Sequence, residues 1–299
     1  MTAPRQVLPG TTYLVTRRCS ERRFFLRPSK QTNDRVLYLL AVAARRYGML
    51  VHACCAMSNH LHLVVTDPHA QLPAFMQYFN SLIARSVNVS LGRFEGFWAK
   101  DAGYSAVKPL ERADIVAKCA YVLANPVAAA LVRRGRDWPG LRLAPPEAGS
   151  TRVVARRPER FFSGKGHMPR EIELELTAPP QFPSAAEFGS LLTEAAAQLE
   201  EQHRRELDDF GRKFLGVARV LAQSPFARPV HRASRFRLNP RLAARDKWKR
   251  VEAIGKLKTF LQQYRDAWRA RRRGIAGVLF PAGTYLMRVL HGAACAGVT

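Results

Sequence analysis

Two histidines separated by one residue, His60 and His62, are the first side chains of this sequence that could do chemistry together. They lie in an apolar run at residues 60–66 that is typical of a strand, where residues i and i+2 point to the same face of a sheet. Two neutral imidazoles held side by side can bind a divalent metal ion. Isolated pairs of this kind also occur as ordinary half-buried strand residues, so the pair alone leaves both interpretations open.

A tyrosine and an asparagine, Tyr121 and Asn125, form the second candidate group. Residues 109–125 have a helical pattern, and residues four apart share one face of a helix. A tyrosine hydroxyl can act as a covalent nucleophile when a metal polarises the electrophile, and an amide oxygen can complete the metal's ligands. Taken alone, a tyrosine more often lies in a core or at its rim. If both pairs form one site, we expect the four side chains to meet at one end of a sheet, within roughly 10 Å.

Strands must carry the histidine pair, and the sequence predicts several before residue 126. β-Branched and aromatic residues predict a strand at 12–17. Two apolar runs, at 49–56 and 60–66, flank a polar turn and predict a hairpin. Short strand candidates follow at 94–98 and 104–107.

Helices separate these strands. Apolar residues at helical spacing predict a first helix that begins at Thr32 or Asn33 and ends at Gly48, and a second helix over about 73–91. We expect the helix with the tyrosine to end before Pro126. The order strand, helix, strand, strand, helix, strand predicts an α+β fold, in which a split βαβ antiparallel sheet has helices packed against it.

The composition restricts the class of protein. A chain of 299 residues with 47% hydrophobic residues can bury a large core, and its net charge of +25 favours a polyanionic partner such as nucleic acid or an anionic surface. A membrane-spanning helix needs roughly 20 apolar residues, and we expect none here. The five cysteines include no C-x-x-C pair, which argues against a disulfide framework or a structural zinc and favours a reducing compartment.

The composition changes after residue 140. Residues 142–157 resemble a linker, 171–176 alternate like an exposed strand, and 185–222 have a helical pattern. Residues 228–273 contain 16 basic and 3 acidic residues interleaved with aromatic residues, which suits a groove that follows a nucleic-acid backbone. The same aromatic residues could equally face a core.

We therefore predict two domains, one at 1–140 that holds both candidate groups and a basic, mostly helical accessory extension at 141–299 that binds nucleic acid. A basic cluster after the first strand could contact nucleic acid or form a solvated loop. The candidate DNA contacts are Arg17, Arg18, Arg22, Arg23, Arg235, Arg237, Lys247, Lys249 and Arg250.

Three sequence segments together resemble a known family. They are GTTYLVTRR at 10–18, MSNHLHLVV at 57–65 and YVLANPV at 121–127. They resemble the single-tyrosine transposases with a His-hydrophobic-His motif, and more closely the REP-associated tyrosine transposases of bacteria. The resemblance covers about residues 8–140, and the extension that follows is a departure from the minimal enzymes.

The resemblance implies a ferredoxin-like fold, with Tyr121 as the nucleophile and His60, His62 and Asn125 as ligands of Mg²⁺ or Mn²⁺. It implies cleavage and strand transfer of single-stranded DNA at hairpin-flanked, REP-like sites through a 5′-phosphotyrosine intermediate. The implied partner is single-stranded DNA with hairpins, and no membrane contact is implied. The resemblance is compatible with a monomer or a homodimer, located in the bacterial cytoplasm and associated with the nucleoid. The alternative is a non-catalytic nucleic-acid-binding regulator that has kept the fold.

Overall fold

The computed structural model describes residues 4–100, 103–146, 151–159, 161–163, 166–230 and 240–297. Strands and helices alternate through the first part of the chain, and both kinds of element continue after it. The strands are β1 (Thr11–Arg18), β2 (Leu50–Met57), β3 (His60–Asp67), β4 (Ser105–Pro109), β5 (Arg142–Leu143), β6 (Thr151–Arg156), β7 (Glu171–Leu176) and β8 (Leu242–Ala243). The helices are α1 (Lys30–Tyr47), α2 (Leu72–Ser90), α3 (Arg112–Ala128), α4 (Ala185–Asp209), α5 (Val217–Ala222), α6 (Lys247–Arg272) and α7 (Leu286–His291).

The centre of the molecule is an antiparallel sheet in the order β2-β3-β1-β4. A two-residue turn joins β2 to β3, so that Met57 faces His60 across the hairpin. β1 then pairs with β3 along its whole length, from Thr11 opposite Asp67 to Arg18 opposite His60. The chain order β1-α1-β2-β3-α2-β4 and this strand order are those of a ferredoxin-like sheet, so the predicted α+β fold class is confirmed.

Helices cover both faces of the sheet because successive strand residues point to opposite sides. Leu61, Leu63 and Val65 are buried in one apolar cluster with residues of α1 and α2. Val64 lies on the other face, in a second cluster with Cys55 of β2 and residues of α3 and α4. The face under α3 is the one that carries the candidate site.

The helix ends differ from the sequence prediction at two places. Ser29, not Thr32 or Asn33, caps α1, because its hydroxyl accepts a hydrogen bond from the Thr32 amide. Gly48 ends α1 as predicted, with a left-handed φ of 66°. Pro126 lies inside α3 instead of ending it. A proline loses its N–H bond to the carbonyl four residues back and its ring crowds that carbonyl, but Pro126 lies in the last turn, and the helix continues to Ala128.

The predicted strand at 94–98 is also wrong. This segment makes only an isolated bridge between Trp98 and Cys19, and β4 alone takes the edge beside β1. Residues 185–222 form two helices, α4 and α5, rather than one continuous helical region. Gly211 and Gly216 adopt positive φ values between them, which interrupts the helix.

The chain beyond residue 140 extends the same sheet. The segment 142–157, predicted as a linker, contains β5 and β6 instead. β5 and β7 pair with β2, β6 pairs with β7, and β8 pairs with β4 at the opposite edge. The strand predicted at 171–176 is present as β7, with Ile172, Leu174 and Leu176 buried. In the part of the chain that the structure describes, no helix is long and apolar enough to cross a membrane.

Candidate active site

The imidazoles of His60 and His62 lie side by side on the sheet face covered by α3. Their ring centroids are 4.6 Å apart and their planes are nearly perpendicular, at 87°. Leu61, between them in the chain, is buried in the cluster on the other face of the sheet. The predicted placement of the two histidines on one face is therefore confirmed.

Hydrogen bonds to the Nδ1 atoms fix both rings. Thr16 is opposite His62 in the β1–β3 ladder, and its Oγ1 lies 2.9 Å from His62 Nδ1. Asn59 Oδ1 lies 2.7 Å from His60 Nδ1. Since the amide oxygen can only accept, His60 Nδ1 carries the proton and its Nε2 is unprotonated. Both rings are thus held through Nδ1, the arrangement that orients an Nε2 atom towards a metal.

Both histidines are neutral at ordinary pH. Burial lowers the pKa of His60 to about 4, and the charge of Arg18 contributes to the same direction. Burial also lowers the pKa of His62 well below its usual value, and neighbouring His60 and Arg18 add to this effect. A neutral imidazole offers its lone pair to a metal without first losing a proton.

Helix α3 brings Tyr121 and Asn125 to the histidine pair. The centroids of the Tyr121 and His62 rings are 5.3 Å apart. The side chain of Asn125 hydrogen-bonds both His60 and Tyr121. The four side chains predicted to converge therefore do so in the structure, while their chemical roles stay predictions.

The hydroxyl of Tyr121 is protonated at neutral pH but accessible. Burial raises its pKa, and the hydrogen bond from Asn125 and the charge of Arg18 act in the opposite direction. The side chain remains 40% exposed, on the sheet face that it shares with the histidines. The exposed part of this side chain leaves it open to a partner that approaches from solvent.

The first basic cluster divides between the two sides of β1. Arg18 is the cross-strand neighbour of His60, and Arg22 also acts on the pKa of His60. Arg17 points to the other face, with its guanidinium 5.6 Å from the Trp98 ring centroid. Arg23 forms an ion pair with Glu21. Arg18 and Arg22 are therefore the members of this cluster that adjoin the candidate site.

The second set of predicted DNA contacts lies around the start of α6, away from the histidines. Lys247 and Arg250 are exposed there, and Lys249 forms an ion pair with Glu111. Arg235 and Arg237 lie outside the described residues. Of the aromatic residues on α6, Trp248 is 75% exposed, whereas the others are buried or packed against a small apolar cluster: Phe260, Tyr264 and Trp268.

The chemistry of the donor set fits a divalent metal ion. In the part of the chain that the structure describes, no three His, Cys, Asp or Glu side chains are grouped as metal ligands, so an amide oxygen would have to complete the set. His62 Nε2 is buried and has no hydrogen-bond partner among the described residues. Imidazole nitrogens suit Mn²⁺ better than the harder Mg²⁺, which prefers oxygen.

Two supporting residues were not predicted. Asn59 adjoins His60 in the sequence, so its position was a usable signal, but Thr16 is 46 residues from His62 and only the strand register pairs them.

His52 does not join the site. It is fully buried, and its two nitrogens lie 2.7 Å from the Thr177 carbonyl oxygen and 2.8 Å from Thr66 Oγ1.

Comparisons with known proteins agree with the sequence motifs. Residues 10–117 match the family model described as "Transposase IS200 like", a segment that contains both histidines and ends before Tyr121. No curated protein matches the chain.

Two solved structures are similar to this chain. One is described as a REP-associated tyrosine transposase bound to a REP hairpin; it is 16% identical over 47% of this chain and 81% of its own, with a TM-score of 0.40. The other is a putative transposase from Deinococcus radiodurans R1, 17% identical over 38% of this chain and 88% of its own, with a TM-score of 0.29. Both TM-scores are low, so the similarity to transposases rests on the family match alone. Over residues 10–117 the chain is similar to the IS200-like transposases, which confirms the family resemblance predicted from its motifs.

Proposed function

We propose that this protein cleaves and rejoins single-stranded DNA through a covalent bond to Tyr121. The observation that carries the proposal is the meeting of Tyr121 with two neutral histidines and the side chain of Asn125. Binding DNA alone requires none of these residues together. The match to IS200-like transposases over residues 10–117 supports the same reaction class.

In the proposed reaction, Tyr121 Oη attacks the phosphorus of one phosphodiester. The O–P bond to Tyr121 forms as the bond from phosphorus to the 3′ oxygen breaks, and the 3′ oxygen leaves with a proton as a free hydroxyl. The downstream strand stays attached through a 5′-phosphotyrosine. Because the new ester conserves the energy of the broken bond, a 3′ hydroxyl can reverse the step and rejoin DNA without a nucleotide cofactor.

His60, His62 and the Asn125 oxygen would hold the divalent ion, Mg²⁺ or Mn²⁺. When bound, such an ion neutralises charge on the reacting phosphate and so stabilises the transition state. Thr16 and Asn59 keep both imidazoles oriented through their Nδ1 atoms. Arg18, beside His60 and exposed, is suited to bind a phosphate oxygen next to the site.

The proposed substrate is single-stranded DNA with hairpins, at REP-like sites. The net charge of +25 supports a polyanionic partner, and the exposed Lys247, Trp248 and Arg250 support an accessory DNA contact at the start of α6. A nucleoid-associated location in the bacterial cytoplasm follows from such a substrate. A monomer and a homodimer are both compatible with a site whose four residues lie in one chain.

The proposal is tested with the full chain, Mn²⁺ and a pool of hairpin-containing single strands with randomised flanks. A 5′-phosphotyrosine retains the downstream fragment, so strands labelled at the 3′ end should give a labelled protein band on a denaturing gel. Strands labelled at the 5′ end should instead yield a shorter free strand. Chelating the metal should abolish both products.

The Tyr121→Phe variant should lose the covalent band and keep DNA affinity within about twofold, because phosphate contacts dominate the affinity. Tyr47→Phe, a change of the same size on α1, should keep the band. If the wild-type chain binds the pool tightly and gives no band, the non-catalytic regulator is the correct function. A band that survives in Tyr121→Phe would assign the nucleophile to another residue.

A further inference from the structure

A basic groove lies between α3 and α4, apart from the candidate active site. Its volume is about 770 Å³. Apolar residues of the two helices form part of its lining, and Leu123 and Leu192 are among them. The charged residues that line it are Arg133, Arg134, Arg136, Arg142, Arg204 and Glu200. Glu201 also pairs with Arg204, and five arginines against these two glutamates leave the groove positive.

The turn that carries Arg133, Arg134 and Arg136 packs closely against both α3 and α4. Gly135, in its middle, is buried, and a Cβ atom there would lie 2.3 Å from Glu200 Oε1 and 2.9 Å from the Leu123 carbonyl oxygen. Only glycine permits this close approach. The positions of the neighbouring arginines are therefore fixed relative to α3 and α4.

Glu200 balances only the inner arginines. It lies 3.6 Å from Arg142 and 3.8 Å from Arg204. Arg142 also donates to the Leu123 carbonyl, and Arg204 to the Arg133 carbonyl. Arg204 also forms a 2.7 Å ion pair with Glu201 of the same helix, so both of these guanidinium groups already have carboxylate partners.

The outer arginines have no such partners. Arg134 and Arg136 are exposed, and their guanidinium groups make no hydrogen bond or ion pair among the residues that the structure describes. The guanidinium of Arg133 lies 5.8 Å from the Phe214 ring centroid and faces no carboxylate in the same part of the chain. Guanidinium groups free of carboxylates around a concave surface are suited to phosphate, which they bind in a bidentate manner.

We propose that this groove binds backbone phosphates of the single strand that leads to or from the cleavage position. The proposal rests on the proposed function. Leu123 lines the groove and lies on α3 between Tyr121 and Asn125, so the groove is roughly one helix diameter, about 10 Å, from the reacting residues. Cavities of roughly 300–1,000 Å³ hold a ligand of drug size, which corresponds to a short stretch of single strand rather than a double helix.

The groove combines residues from both sides of the predicted boundary at residue 140. Leu123 of α3 and the three arginines of the turn at Gly135 precede that boundary, whereas Arg142 and the residues of α4 belong to the extension. All of these lining residues lie beyond the family match at 10–117. In this proposal the turn and the extension together bind the flanking strand beside α3, in addition to any contact that α6 makes.

The test compares wild type with the double variant Arg134→Ala, Arg136→Ala, both in a Tyr121→Phe background so that no cleavage occurs. Fluorescence anisotropy measures the affinity for a hairpin with single-stranded tails and for the same hairpin without tails, across a salt series. Each lost phosphate contact should reduce the log–log salt slope by about 0.7, so the slope for the tailed hairpin should fall by about 1.4. The affinity for the blunt hairpin should not change.

The matched control is Arg45→Ala with Arg46→Ala, which removes two exposed charges from α1 on the other face of the sheet. Both double variants should unfold at the temperature of their parent. An unchanged slope, or an equal loss for tailed and blunt hairpins, overturns the groove proposal. If the slope falls as expected but the chain with Tyr121 intact forms no covalent adduct in the separate cleavage assay, the groove proposal is upheld and only the proposed function is overturned.

Discussion

The orientation of His62 depends on a hydroxyl from another strand. Thr16 Oγ1 is 2.9 Å from His62 Nδ1, and removing such a support typically weakens metal binding by about 10- to 100-fold. Thr16→Val keeps the volume and removes the hydroxyl. We expect its Mn²⁺ affinity, measured by the electron paramagnetic resonance of free Mn²⁺, to fall within that range while the fold is retained.

Thr12→Val provides the control for this prediction. Thr12 lies on the same strand and bonds Thr66 Oγ1 at 2.7 Å, so it does not support the imidazole of His62. Its substitution should leave the Mn²⁺ affinity unchanged. Equal losses in both variants would mean that the effect comes from the strand as a whole and not from His62.

His52, a buried histidine outside the candidate site, makes the free energy of unfolding depend on pH. Burial lowers its pKa from 6.5 to about 4. Below pH 6.5 the imidazole of His52 binds a proton in the unfolded chain but stays neutral in the folded chain. The stability present at neutral pH is therefore lost as the pH falls towards 4. This one group should cost about 2 kcal/mol of unfolding free energy between pH 7 and pH 5.

His52→Gln should therefore lose less stability than wild type over the same pH interval, by about 2 kcal/mol in urea unfolding. The variant is expected to be less stable at pH 7, because both ring nitrogens lie within hydrogen-bond distance of buried partners. The exposed His291→Gln should follow the wild-type pH dependence. If His52→Gln also follows it, the ring of His52 does not resist protonation in the folded chain.

At the scale of the element, α3 positions half of the candidate site and is anchored at its start. Asp114 Oδ2 accepts from the Glu111 amide within a capping box, and Oδ1 accepts from the Arg245 amide beyond β8. Asp114 is buried, so both bonds are shielded from water. The helix that carries Tyr121 is thus tied to the last part of the chain.

Asp114→Ala removes both bonds and should lower the free energy of unfolding by about 2–3 kcal/mol. Urea unfolding checks the value. Asp209→Ala, at the exposed end of α4, should change it by less than about 0.5 kcal/mol. A similar small change in Asp114→Ala would show that the tie to Arg245 contributes little to holding α3.

At the scale of the whole molecule, the division predicted at residue 140 cuts through a shared sheet and core. Phe188 and Leu192 of α4 are buried in the cluster that contains residues of α3, and Leu174 of β7 is buried in the cluster under α1. A fragment of residues 1–140 exposes the partners of these side chains to water. We expect it to lose cooperative urea unfolding and near-ultraviolet circular dichroism.

A fragment of residues 1–230 serves as the comparison. It keeps β5 to β7 together with α4 and α5, so the two apolar clusters lose only Tyr285 and Ala243, and we expect cooperative unfolding. If the 1–140 fragment unfolds as cooperatively as the longer one, the first 140 residues are an independent domain, as the composition alone predicted. The separate DNA-binding role of the extension stays a prediction in either case.

The central fold and the convergence of the four candidate site residues could be predicted from local sequence patterns and family motifs. Period-two and helical spacings are local properties, so the pair His60 and His62 and the pair Tyr121 and Asn125 could each be placed on one face of an element. The strand–helix order then restricted the sheet to a few topologies. The family motifs joined the two pairs into one hypothesis.

Which residues surround that site depends on tertiary contacts that local sequence patterns do not reveal. The partner of His62 depends on strand register, and the basic groove depends on how α4 lies against α3, neither of which is encoded in local spacing. The segment that resembled a linker pairs with β2, because a strand can be ordered by its neighbour despite a weak pattern of its own. Contacts between residues distant in sequence therefore determine the pairing of the segment 142–157, the groove and the support of His62.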